Sequence, residues 1–185
     1  MLTINRPEEG NPMRRVGIAA VAFLIASLML AASGASADTS ARDLKAMSDA
    51  SYIYIATVRK DGNQSRAVPV WFLVSKDNSL LIQTSPKSWK AKRIGRGSPA
   101  MIWIGTSDGP AFIGKAAILT DKASQQEIID GIPRKYTLAR LGFARPSEKK
   151  FAAGQIVVIR ITPVRDLPEG FKSQPGTPAP SLEAK

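Results

Sequence analysis

The chain contains no cysteine and no histidine. Without thiols there are no disulfides, so transit through an oxidising compartment requires no oxidative folding. Without imidazole or thiolate, zinc, haem-histidine, haem-thiolate and Ser-His-Asp sites lose the groups that build them. Acidic residues are scarce too, 15 Asp and Glu against 26 Lys and Arg, for a formal net charge of +11. They form no dense cluster of the kind that holds calcium. The surplus of cations points to an anionic partner: a phosphorylated cofactor, a membrane surface or nucleic acid. No internal repeat is present.

What the chain does have begins with an apolar run. Arg14 and Arg15 precede Val16 to Leu30, VGIAAVAFLIASLML, and Ala35-Ser36-Ala37 follows. A basic start, an apolar middle and a small-residue exit predict a secretory signal peptide over residues 1–37. The alternative is an uncleaved membrane anchor through residues 14–32, because Val16 to Ala32 is about the minimum length that spans a bilayer. Either reading makes the remainder exported, periplasmic or extracytoplasmic. The arginine pair would also suit twin-arginine export, although Val16-Gly17-Ile18 is not its usual continuation. About 148 residues remain, enough for one domain with a real core.

Residues 38–165 read as that domain. A short helix is predicted over Asp38 to Ala50, capped by Asp38, Thr39 or Ser40. Strand signals then dominate. Tyr52–Val58 ends in the Lys60-Asp61-Gly62-Asn63 turn, and Ala67–Ser75 returns. After Lys76–Ser79 comes Leu80–Thr84. Ala100–Gly105 and Ala111–Thr120 flank the turn at Ser107–Pro110, and Gln155–Ile161 is the sixth strand. Ser124–Arg140 reads as a helix interrupted by Gly131 and Pro133. Strands joined by tight turns, with helices inserted at two points, predict a mainly β, α+β fold: a six-stranded antiparallel barrel. Residues 166–185, rich in proline and glycine, read as a disordered tail.

The most informative stretch is Leu81 to Ile94, LIQTSPKSWKAKRI. A strand ends at Thr84, a Ser/Pro turn follows, and a short helix carries Lys90, Lys92 and Arg93 just after Lys87. Hydroxyls and free backbone N–H groups at a helix mouth, with ammonium groups on its first turns, suit a phosphate dianion. Ser88 is placed to cap the helix. The simpler reading is a solvated basic face.

Four pieces in order resemble the pyridoxamine 5'-phosphate oxidase-like split-barrel flavoproteins. They are Ile55-Ala56-Thr57-Val58 with Asp61-Gly62, Val68-Pro69-Val70-Trp71-Phe72, Thr84 to Ile94, and Phe112-Ile113-Gly114-Lys115-Ala116. The resemblance spans roughly Tyr52 to Ile161. It implies a homodimer holding FMN, or alternatively the deazaflavin F420, between subunits. By position it implies Lys90 as the main phosphate ligand, with Thr84, Ser85, Lys87 and Ser88 beside it, and Val68, Pro69, Val70 and Trp71 along the ring edge. It implies hydride chemistry on a small molecule, with no catalytic side chain supplied by the protein, since that chemistry belongs to the cofactor. The absence of histidine argues against vitamin B6 oxidation. The competing reading is a non-catalytic module for an anionic ligand. Nucleic acid is disfavoured, because most aromatics lie within strands, away from the lysine clusters. Close strand packing alone would account for Gly114, and Trp103 reads as a core aromatic.

Overall fold

A computed structural model of the chain describes residues 47–183. The predicted signal or anchor segment, and all but the end of the helix predicted at Asp38–Ala50, lie outside the described residues. Residues 47–49 are helical.

Seven strands and four helices follow in the order β1 (Ile53–Thr57), β2 (Val68–Val70), β3 (Leu73–Val74), β4 (Leu80–Thr84), α1 (Trp89–Ile94), β5 (Ala100–Ile104), β6 (Ala111–Leu119), α2 (Lys122–Lys135), α3 (Thr137–Arg140), α4 (Glu148–Ala152) and β7 (Val157–Asp166). The sheet runs β2-β1-β5-β6-β7-β4-β3, with every neighbouring pair antiparallel. Seven strands replace the six expected because Ala67–Ser75 is not one strand. It breaks at Trp71 and Phe72. Its first half pairs with β1 and its second with β4, at opposite ends of the sheet.

That break explains the barrel. The two edge strands are joined by only two residues, and three Cα–Cα steps reach at most about 11 Å. The sheet must therefore curl until its edges are neighbours, linked by the chain and not by a ladder. The result is an α+β architecture that fits a split barrel.

Period-two alternation divides the strands between two faces. Ile53, Ile55, Leu80, Ile82, Ala100, Ile102, Ile159 and Ile161 share one buried cluster with Phe72 and with Ala91 and Ile94 of α1. The alternate residues are covered as well. Leu81 and Val158 pack under Ile128 and Ile132 of α2, while Met101, Trp103 and Ile113 pack under Leu167, Phe171, Ala179 and Leu182. Sheets covered on both faces read as near-continuous apolar runs, which is why AMIWI is buried at all five positions.

Three further departures from expectation have physical causes. β7 extends to Asp166, past the expected end at Ile161, across a register shift at Ile113/Gly114 opposite Pro163. Proline lacks an N–H for the ladder, and a bulge accommodates it. The long helix ends at Lys135, because Tyr136 is extended (φ −118°, ψ 113°) before α3 begins. The Pro/Gly-rich tail is packed, not disordered: Leu167 is buried, and Trp103 Nε1 donates to the Phe171 carbonyl at 2.7 Å. Composition suggested disorder there, but the outer face of β1, β5 and β6 supplies an apolar surface for the tail to cover.

Gly114 sits opposite Pro163 at the register shift between β6 and β7. A Cβ there would lie 2.6 Å from the Thr162 carbonyl oxygen and 3.0 Å from Ile161 Cγ2. Trp103 is fully buried, a core residue.

Candidate anion-binding site

The turn after β4 positions the basic helix. Ser88 is extended and caps α1, its Oγ accepting from the Ala91 N–H at 3.3 Å. Thr84 Oγ1 donates to Ser88 Oγ at 3.2 Å, and Lys90 Nζ donates to Thr84 Oγ1 at 3.3 Å. Lys90 is half-buried, and burial holds its ammonium below the usual lysine range. Among the described residues no carboxylate pairs with it.

Lys90 faces a cavity of about 460 Å³ bordered by β1, the start of β2, α1 and the tail. Arg59, Arg66, Lys90 and Arg93 contribute four cations to its lining, and no carboxylate contributes. Thr57 and Ser65 bring hydroxyls; Ile55, Val68, Trp89 and Pro175 bring apolar surface. Arg93 donates to Thr57 Oγ1 at 3.3 Å. Its guanidinium is pushed down by burial first, then by the charges of Arg59 and Arg96, with Asp61 opposing. Trp89, largely exposed, lies under Lys92 and Arg93 at 5.1 and 5.7 Å from ring centroid to charge.

A second cavity of about 260 Å³ is lined by Tyr52, Pro69, Val70, Trp71 and Ala144. Strand β2 therefore borders both cavities, with Val68 in the first and Pro69 and Val70 in the second. Trp71 is held by stacking on Tyr136, with centroids 4.7 Å apart.

The structure thus brings Val68 and Lys90 together in one cavity and holds Thr84 and Ser88 behind Lys90 by hydrogen bonds. Pro69, Val70 and Trp71 gather in the other. Ser85 and Lys87 are exposed and line neither; the Lys87 N–H closes the turn on Ser85 Oγ at 3.2 Å. Sequence reasoning missed Ile55, Thr57, Arg59, Ser65, Arg66 and Pro175 as cavity residues, and named Arg93 only among the charges of the basic helix. Two could have been reached by alternation: Arg66 lies two residues before Val68, and Thr57 two after Ile55. Arg59 and Pro175 arrive through turn and tail geometry that no periodicity encodes.

The cavity can take a phosphate dianion by charge and by hydrogen bonding: one ammonium, three guanidinium groups and two hydroxyls converge without an internal counter-ion. The model for the pyridoxamine 5'-phosphate oxidase family matches residues 39–167. Solved structures share the fold. A protein from Listeria innocua described as a pyridoxamine 5'-phosphate oxidase superposes with a TM-score of 0.53 at 16% identity, covering 70% of this chain and 96% of its own. General stress protein 26 from Bacillus anthracis gives 0.50 at 18%, covering 68% and 89%. A Bacteroides thetaiotaomicron protein named for 5-nitroimidazole antibiotic resistance gives 0.52 at 16%, covering 68% and 80%. No curated protein matches the chain in sequence.

Proposed function

The chain belongs to the pyridoxamine 5'-phosphate oxidase family, and from that premise we propose that it is an exported, homodimeric FMN-binding oxidoreductase acting on a small molecule. The observation that carries the reading is Lys90: a half-buried ammonium with no carboxylate partner among the described residues, facing a cavity whose described lining holds three arginines and no acid. Burying a cation costs free energy unless an anion offsets it. A cofactor phosphate would do so.

The residues fit that group. Lys90, Arg66 and Arg93 would hold the phosphate, while Thr84 and Ser88 fix the lysine stem from behind. Val68, Pro69, Val70 and Trp71, with Tyr52, offer apolar and backbone surface for the ring along β2. When bound, FMN supplies the hydride chemistry. The protein's part is to bind, to orient and to exclude water; no side chain is assigned an acid–base role.

A second copy is the proposed cover for the open side. Tyr52, Val68, Leu138, Leu141 and Phe143 are large apolar residues with exposures of 38–70%. A two-fold interface would bury such a set with its own equivalent. Sedimentation of the loaded protein tests this, with a monomer as the contrary result.

Mass spectrometry and absorbance of whatever copurifies test the cofactor. Two near-UV and visible bands identify FMN, whereas one dominant band identifies F420 and replaces the cofactor assignment. Binding of simple anions with no uptake of either flavin reduces the protein to a binding module. N-terminal sequencing of the mature product tests export: a start near Asp38 supports cleavage, and an intact Met1 on a membrane-embedded product identifies an anchor.

A further inference from the structure

We propose that the C-terminal segment from Phe171 to Ala179 is a built-in wall of the basic cavity, and that Gln64 is the residue through which it holds the cavity's donors in place. The wall is inferred from contacts within this chain; only the identity of the ligand it serves rests on the FMN reading.

The segment is fastened at both ends. At the near end, Phe171 stacks on Trp103 with centroids 6.0 Å apart, and its carbonyl accepts from Trp103 Nε1 at 2.7 Å. At the far end nearly everything converges on Gln64, which is 2% exposed. The Gln64 N–H donates to the Thr177 carbonyl at 2.8 Å, and its own carbonyl accepts from the Gly176 N–H at 3.0 Å. Its Nε2 donates to Thr177 Oγ1 at 3.1 Å and to the Pro178 carbonyl at 3.2 Å. One step further, Ala179 N–H donates to the Gly62 carbonyl at 3.1 Å. Between these anchors, Pro175 is placed in the cavity lining.

The anchor is also coupled to the donors. Ser65, next in sequence to Gln64, lines the cavity and exchanges two hydrogen bonds with Thr57. Its N–H donates to the Thr57 carbonyl at 2.9 Å, and the Thr57 N–H donates to its Oγ at 2.9 Å. Thr57 Oγ1 in turn accepts from Arg93. An unbroken run of contacts thus leads from tail to cation: Thr177, Gln64, Ser65, Thr57, Arg93. Four like charges in one cavity repel one another and spread unless their supports are fixed, and a ligand that finds them fixed is spared the ordering cost. Pro175 and Pro178 limit the freedom the segment loses on docking.

The test uses the full chain, a variant ending at Ser173, and Gln64→Glu. The truncation keeps Phe171 on Trp103. The substitution replaces the two donated N–H groups with an acceptor facing the Pro178 carbonyl. Hydrogen exchange is measured without ligand, with β4 and β7 amides reporting that the barrel is folded. FMN is then titrated. Exchange at the Thr57 and Ser65 amides should rise at least about ten-fold in both variants, and FMN should bind about ten-fold more weakly. Unchanged exchange at both amides overturns the proposal. So does faster exchange with undiminished FMN affinity. Faster exchange in a protein whose parent takes up no FMN supports the wall and sinks the FMN reading instead. Should the truncation not fold, Gln64→Glu and Pro175→Gly carry the same comparison.

Discussion

The Tyr136 hydroxyl satisfies both backbone groups of Phe72: it accepts from the Phe72 N–H and donates to the Phe72 carbonyl, each at 3.0 Å. Phe72 is one of the two residues joining the edge strands, where no ladder is available to it. A side chain from the segment between α2 and α3 thus does the work that a neighbouring strand does elsewhere. Burial pushes the phenol up to about 12, against the Phe72 hydrogen bond and with the neighbouring Tyr52 adding to the rise, so the hydroxyl stays protonated as the clamp requires.

Tyr136→Phe keeps the ring on Trp71 but leaves two buried backbone groups unpaired. Removing one partner from a buried pair costs about 1–3 kcal/mol. The expected loss of stability is about 2 kcal/mol, read from urea denaturation. An unchanged midpoint would show that the join is held by packing alone.

Lys135, beside the clamp, lies with its Nζ 3.6 Å over the Phe72 ring. Ring contact favours the charged form, yet burial dominates and holds the amine down to about 8 from 10.5. The unfolded chain therefore binds the extra proton between about pH 8 and 10.5, and stability from this group rises with pH across that window. Relative to Lys135→Met, the parent should gain stability from pH 8 to 10; a flat difference curve contradicts the assignment.

Gly114→Ala puts a Cβ against the Thr162 backbone, which has no rotamer to escape into. The strands must part or the bulge must shift, at a cost of about 1–3 kcal/mol. Thermal unfolding measures it. A neutral substitution would mean that the bulge opposite Pro163 is soft enough to absorb a methyl group.

Much of the barrel was legible because it rests on local pattern. Leu80–Thr84 matches β4 residue for residue, and Ala100 and Ala111 start β5 and β6 as expected. The break at Trp71 and Phe72 was not legible, since AVPVWFLV is apolar throughout and the division within it is held by Tyr136, far along the chain. The tail was misjudged for a related reason: proline and glycine report weak local preference, and the partners that order it are Trp103 and Gln64. At the candidate site, Thr84, Ser88 and Lys90 lie within the single stretch Leu81–Ile94 and read as a motif. Arg93 lies in that same stretch, whereas Arg59 and Arg66 belong to other segments and join it only in the fold.

That difference between motif and cavity sets up the sharpest test of the cofactor site. Lys90 points into the cavity and is half-buried, whereas Lys87 sits in the exposed turn three residues earlier. A charge-assisted contact from a partly desolvated ammonium to phosphate contributes about 1.5–3 kcal/mol, so Lys90→Ala should weaken FMN binding by about ten- to hundred-fold. Folding should be unaffected or slightly favoured, because the substitution removes a cation that burial penalises. Arg66→Ala should weaken binding as well, since Arg66 lines the same cavity from the start of β2. Lys87→Ala should bind close to the parent, with its contribution screened by salt while that of Lys90 persists. Titrating apo-protein with FMN at low and high ionic strength separates these outcomes. Lys87→Ala losing affinity while Lys90→Ala keeps it would move the phosphate out of the cavity and onto the turn. If neither lysine nor Arg66 matters, the basic cavity is solvated surface and the FMN reading loses its physical support.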